Sequence, residues 1–173
     1  MSGSTSAFQA EKRGPTPLSR SYMEDFIPTF VVCVDAVIRK KDKFLLVRRS
    51  DSDPQEGGKW SFPGGKIEQE LTSDILERSL AREVKEETGL KIENHIDLID
   101  NGSFVRVSGH FVIMLTFLCY YKSGVARPLE DHSEVKWLSL KEIDQMWEKL
   151  PVYTQAKITA LKKFLQKHPG EKF

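Results

Sequence analysis

Apolar and polar positions change rhythm sharply near Thr29. Residues 1–27 are rich in Ser, Thr, Gly and Pro and carry no sustained period. They read as a flexible tail ahead of one domain spanning residues 28–173. From Thr29, TFVVCVDAVI is β-branched and apolar, KKDK turns the chain, and FLLVRR is apolar again. That pattern predicts a hairpin of two largely buried strands. SDSDPQEGG is a loop by composition, and Lys59–Phe62 leads into a sharp turn at Pro63-Gly64-Gly65. A helix is expected over Asp74–Thr88. Strands follow at His95–Asp100, Phe104–Val107, His110–Tyr121 and Glu134–Leu138. Two helices, Leu140–Leu150 and Val152–His168, close the chain. Strands mixed with a few helices specify a single α/β or α+β domain.

Composition narrows the function classes. The chain has 173 residues, 39% hydrophobic and 29% charged. This excludes collagen-like and disulfide-scaffold chains. Lys plus Arg is 26 and Asp plus Glu is 25, giving a formal net charge of +1. Such a balance provides no global field for nucleic acid or an anionic membrane, so any phosphate must be handled by local groups. Cys33 and Cys119 lie in apolar runs and read as buried thiols rather than a disulfide. No apolar run is long enough to span a bilayer, and the N-terminus has no apolar signal-peptide core. Glu11, Glu24 and Asp25 argue against a targeting peptide. The expected location is the cytoplasm.

The helix SDILERSLAREVKEETGL carries the chemistry. Asp74 stands where an N-cap belongs, with Glu77 three residues on, and Gly89 stands where a left-handed C-cap belongs. At about 100° per residue, Leu76, Leu80 and Val84 form an apolar stripe. Glu83 and Glu87 fall on or beside it, and Glu86 lies at its edge. Carboxylates crowded next to a core repel one another and resist ionisation. A hard divalent cation such as Mg²⁺ or Mn²⁺ offsets that cost, because its ligands are oxygens. The bland alternative is a solvated face with intrahelical pairs such as Arg82 with Glu86.

GKWSFPGGKIE before this helix and REVKEETGL at its end resemble the Nudix hydrolase signature. Gly65 matches its start, and Arg82, Glu83, Val84, Glu86, Glu87, Gly89 and Leu90 match its C-terminal half. One departure stands out. Counting back from Arg82 reaches Asp74 where the family has a Glu, so three extra residues sit between Gly65 and the helix. Asp74 stands in for the Glu that braces the loop and pairs with Arg82, with Glu68 and Glu70 as substitutes.

The resemblance implies a Nudix-type α/β/α sandwich with a mixed central sheet. It also implies water attack on a nucleoside diphosphate linked to another group. By family position, Glu83, Glu86, Glu87 and the Gly64 carbonyl hold Mg²⁺ or Mn²⁺, and Arg82 belongs with Glu83 and Glu86 in the catalytic set. Gly65, Arg48 and Arg49 lie on the substrate side, the arginines suited to clamping phosphate. Glu130 and Asp131 are the candidate general bases, and His132 beside them is expected at the surface. Phe30, Trp60, Phe104 and Phe111 are candidates for base stacking, with core packing the commoner role.

The absence of Pro between Pro63 and Pro128 weighs against the ADP-ribose branch. Gln55, where an Arg is expected, weighs against the coenzyme A branch. GKWSFPGGKIE looks most like the MutT-type group, which acts on nucleoside triphosphates, including modified ones. The alternatives are a nucleotide-sugar or ADP-ribose hydrolase, and a non-catalytic nucleotide-binding module. The expected partner is a small nucleotide, not nucleic acid or membrane. A homodimer is compatible with the resemblance, but the sequence names no interface.

Overall fold

The computed structural model describes residues 29–68, 73–106 and 108–169. The expected tail, residues 1–27, lies outside them, as do Glu70 and Val107. Strands β1 (Phe30–Lys40) and β2 (Lys43–Arg49) form the anticipated hairpin. Short β3 (Trp60–Ser61) and β4 (Gly64–Lys66) follow. Helix α1 (Ile75–Thr88) leads to long β5 (Lys91–Val105), β6 (Phe111–Ser123) and β7 (His132–Ser139). Helix α2 (Leu140–Gln145), a 3₁₀ turn (Trp147–Lys149) and helix α3 (Val152–Lys167) complete the order.

The seven strands make one sheet in the order β3-β2-β1-β6-β5, with β4 also paired to β1 and β7 to β2. β1 and β6 are parallel and the other pairs antiparallel, so the sheet is mixed. Both faces are covered. Val34, Ala36 and Ile38 pack with Leu80 and Val84 of α1. Val37, Leu118 and Tyr120 pack with Ile143 of α2 and Ile158 and Leu161 of α3. A strand covered on both sides reads as a continuous apolar run, which is why β1 and β6 were plain in the sequence. The result is the expected α/β/α sandwich. Cys33 and Cys119 are buried free thiols, and among the described residues no helix is long and apolar enough to cross a membrane.

Several expectations are corrected. Gly64-Gly65 is not a turn but the start of a strand, because β1 pairs with it at Val34 and Asp35. The separate strands expected at His95–Asp100 and Phe104–Val107 are one strand, β5. β5 is a sheet edge facing solvent on one side, and bulges at Lys91/Ile92, Ile92/Ile96 and Leu98/Asp100 break its alternation. The helix expected over Leu140–Leu150 stops at Gln145 and tightens into the 3₁₀ turn. Asp74 does not cap α1 through its side chain; it takes a left-handed conformation, φ 56°.

Leu118 is fully buried between β1 and the α3 layer. Leu118→Ala is expected to cost about 2–5 kcal/mol. Urea unfolding with an unchanged m-value measures it.

Candidate active site

Helix α1 ends at Gly89, whose φ of 72° lets its N–H close on the Lys85 carbonyl at 2.9 Å. Glu83 and Glu87, four residues apart, share a face with Leu80 and Val84. That face meets β4 and β1, and both carboxylates go under: Glu83 is 9% exposed and Glu87 4%. The close approach requires glycine. A Cβ on Gly65 would collide with the Glu83 carboxylate, and one on Gly64 would collide with the Val34 carbonyl and lie 2.7 Å from an Asp35 oxygen. The Gly64 N–H donates to Glu87 Oε2 at 3.0 Å.

Burial pushes the Glu87 carboxyl up to about 8, against the opposing Gly64 hydrogen bond and the Arg49 charge. Burial also raises Glu83; Arg82 opposes this, while Glu86 and Glu130 add repulsion. Arg82 is the local counter-ion. It reaches Glu83 and Glu86 at 2.8 Å each, the Lys66 carbonyl at 3.2 Å and Glu68 at 3.7 Å. The expected Asp74–Arg82 brace is therefore replaced by Glu68, because Asp74 sits in a left-handed turn with its carboxylate toward Ser73. Arg82–Glu86 is the intrahelical pair foreseen as the bland reading, and Glu86 remains 43% exposed.

No three His, Cys, Asp or Glu side chains among the described residues converge closely enough to hold one ion. Glu83 and Glu86 are turned to Arg82, and Glu87 to Gly64. The donor set still fits a hard divalent cation. It consists of oxygens, and two of its carboxylates are buried at a cost that a single arginine leaves in part uncompensated. Of the expected ligands, Glu83, Glu87 and Gly64 are brought together and Glu86 stands on the rim.

The segment after β6 is stitched to the end of α1. Arg127 N–H donates to the Thr88 carbonyl at 3.0 Å and Leu129 N–H to the Glu87 carbonyl at 3.1 Å. Gly124, φ 107°, allows the crossing. A shallow cleft results, lined by Ala81, Arg82, Lys85, Glu86, Leu129 and Glu130. Glu130, φ 50°, lies close enough to repel both Glu83 and Glu87. Asp131 instead pairs with Arg49 at 3.8 Å. Between the two candidate bases, the backbone brings Glu130 to the carboxylates.

His132 is not at the surface. It begins β7, pairs with Arg49 and is 8% exposed, and burial together with the Arg49 charge lowers its pKa, favouring the neutral ring. The two arginines differ because successive strand residues face opposite ways. Arg49 follows Val47 to the α1 side, where its charge acts on Glu87. Arg48 is committed to Asp51 at 2.6 Å, Ser133 at 3.2 Å and the Gly58 carbonyl at 3.1 Å, so it braces the loop. Trp60 is core, 8% exposed. Phe30, Phe104 and Phe111 are exposed, contrary to the core reading, because β1, β5 and β6 run past the helices that cover them.

Sequence reasoning missed Asp35 and Lys157, which form a buried ion pair between β1 and α3. The signals were available: a lone carboxylate inside VVCVDAVI, and a lysine on the apolar stripe of Thr154, Ile158 and Leu161.

Comparison with known proteins follows the same lines. A family model for the NUDIX domain matches residues 29–159. A MutT-like protein of Streptomyces ambofaciens is 32% identical over 63% of this chain and 63% of its own length. An ADP-ribose pyrophosphatase of Methanocaldococcus jannaschii is 27% identical over 66% of this chain and 65% of its own. The chain thus spans a little under two thirds of the length of these relatives. The crystal structure of a MutT protein from Methanosarcina mazei superposes with a TM-score of 0.64 and 31% identity, covering 83% of this chain and 99% of that one. With the family model matched along most of its length, over the same residues that bury two carboxylates beneath a Gly-Gly strand, the chain belongs to the Nudix hydrolase superfamily.

Proposed function

We propose that residues 28–173 form a divalent-cation-dependent hydrolase that cuts a pyrophosphate bond in a nucleoside diphosphate linked to another group. The leading substrate class is a nucleoside triphosphate, plain or modified. One observation carries the reading: Glu83 and Glu87 are buried against a Cβ-free strand, with their acidity suppressed. A helix built only for stability has no reason to place two carboxylates there. The substrate class is supported by the MutT-like relatives.

Glu83, Glu86, Glu87 and the Gly64 carbonyl would hold Mg²⁺ or Mn²⁺, which when bound supplies positive charge for pyrophosphate oxygens and activates the attacking water. Arg82 holds Glu83 and Glu86 in place until then. Glu130 is the better-placed base to take a proton from water at the open side of the cleft. Arg49, on the Glu87 side, is the candidate phosphate clamp, and Gly65 lets substrate approach the backbone. The ADP-ribose relative supports a second substrate reading. The Arg82-occupied carboxylates support a third, a module that binds a nucleotide without cleaving it.

A panel of nucleoside triphosphates, modified triphosphates, nucleotide sugars and ADP-ribose with Mg²⁺, with products identified, separates the three readings; hydrolysis of none, with binding retained, favours the module. Glu86→Gln is expected to leave the fold intact and lower kcat about 10²-fold, equivalent to about 2.7 kcal/mol of barrier. Unchanged kcat overturns the ligand assignment. The elevated Glu87 pKa sets a pH dependence. Between about 4.5 and 8 the unfolded chain has lost this proton and the folded chain keeps it, so metal-free stability falls as pH rises through that window. Binding of a divalent cation displaces the proton, so Mg²⁺ is expected to raise the thermal midpoint more at pH 8 than at pH 6. Glu87→Gln is expected to flatten both trends in thermal melts with and without Mg²⁺.

A further inference from the structure

Lys157 is 8% exposed and Asp35 6%. Their ammonium and carboxylate are in direct contact, joining α3 to β1. Among the described residues no other ion pair has both side chains buried. Such a pair is poor value for stability, since well-packed apolar residues of similar volume often serve as well or better. What an ion pair adds is direction: it fixes one element against another at a particular atom.

The atom it fixes lies behind the carboxylates. Asp35 is the register partner of Gly64, and its second carboxylate oxygen would lie 2.7 Å from a Cβ at that position. Ala36 N–H donates to the Pro63 carbonyl at 2.8 Å, so Asp35 sits where β1 meets the Pro63-Gly64 peptide. On the opposite face, Gly64 N–H holds Glu87 Oε2. The same two turns of α3 grip the chain leading into β4. Thr154 donates to the Trp60 carbonyl at 3.0 Å, and Tyr153 donates to Glu56 at 2.6 Å with its ring 5.4 Å from the Lys157 ammonium.

We propose that Asp35 and Lys157 are a positioning pair for the candidate active site, pinning β1 and β4 to α3 so that the Gly64 amide orients the Glu87 carboxylate. Neither touches substrate; they act through Gly64. The catalytic consequence rests on the hydrolase reading above, whereas the positioning does not.

The test uses the full chain carrying Asp35→Asn together with Lys157→Met, which removes both charges at nearly constant volume. The Gly64 amide is followed by NMR, and kcat and KM are measured on whichever nucleotide the wild type hydrolyses. The variant is expected to fold, with the Gly64 amide shifted from its wild-type frequency and exchanging at least about tenfold faster. Its kcat is expected to fall about tenfold or more with KM within about twofold. Should the double variant not fold, Asp35→Asn alone is read by the same amide. An unchanged Gly64 amide in a folded variant overturns the proposal, as does an unchanged kcat in a variant whose amide has moved. A displaced amide in a chain whose wild type hydrolyses nothing supports the positioning and overturns the hydrolase reading instead.

Discussion

The structure depends on one close approach. Helix α1 lies against a stretch of backbone, Gly64-Gly65, where a methyl group on Gly65 would strike the helix's Glu83 carboxylate and one on Gly64 would strike β1. Into that contact the helix sends two carboxylates instead of two more leucines. Burying ionisable oxygens beside a core is unfavourable, and here it is met by one backbone N–H, one arginine and a suppressed acidity. The rest of the fold holds this contact in place. β4 is docked on β1, the segment after β6 is tied to the last turn of α1, and α3 backs the sheet from the far side.

The electrostatics follow from that geometry. The near-neutral chain has no field to gather phosphates, yet the site concentrates acidic groups: Glu83, Glu86 and Glu87 on α1 and Glu130 across the cleft. Arg82 neutralises them only in part, through its bonds to Glu83 and Glu86. The divalent cation proposed for this site would compete with Arg82 for the same oxygens and with a proton for Glu87. Arg82 is also held by the Lys66 carbonyl and by Glu68. The structure shows the arginine-bound arrangement of these side chains, and the proposed cation would have to displace it.

Much of this was legible in the chain. β1, β2 and β6 are covered on both faces, so their sequences are nearly continuous apolar runs, and α1 ends at a glycine and carries the Nudix-like motif. Local rules failed where a residue's fate is set by partners distant in sequence. His132 looked like a loop residue until β7 began there against Arg49. Phe30, Phe104 and Phe111 looked like core until the strands proved longer than the helices covering them. β5 looked like two strands because an edge tolerates bulges and polar residues. Asp74 satisfied a capping rule in the sequence, but in the fold it is left-handed and its side chain caps nothing.

By itself the sequence pointed to the fold family through its resemblance to the Nudix signature, and it grouped Glu83, Glu86 and Glu87 because a spacing of three and four residues on a helix is a property of the helix alone. It could not determine which of two adjacent arginines faces the site, which of two adjacent acids joins the carboxylates, or that Asp35 and Lys157 meet. Those choices depend on strand parity, on where β7 enters the sheet and on the packing of α3 across β1. They are fixed only when elements distant in the chain come into contact: Arg48 and Ser133 are 85 positions apart, and Asp35 and Lys157 122.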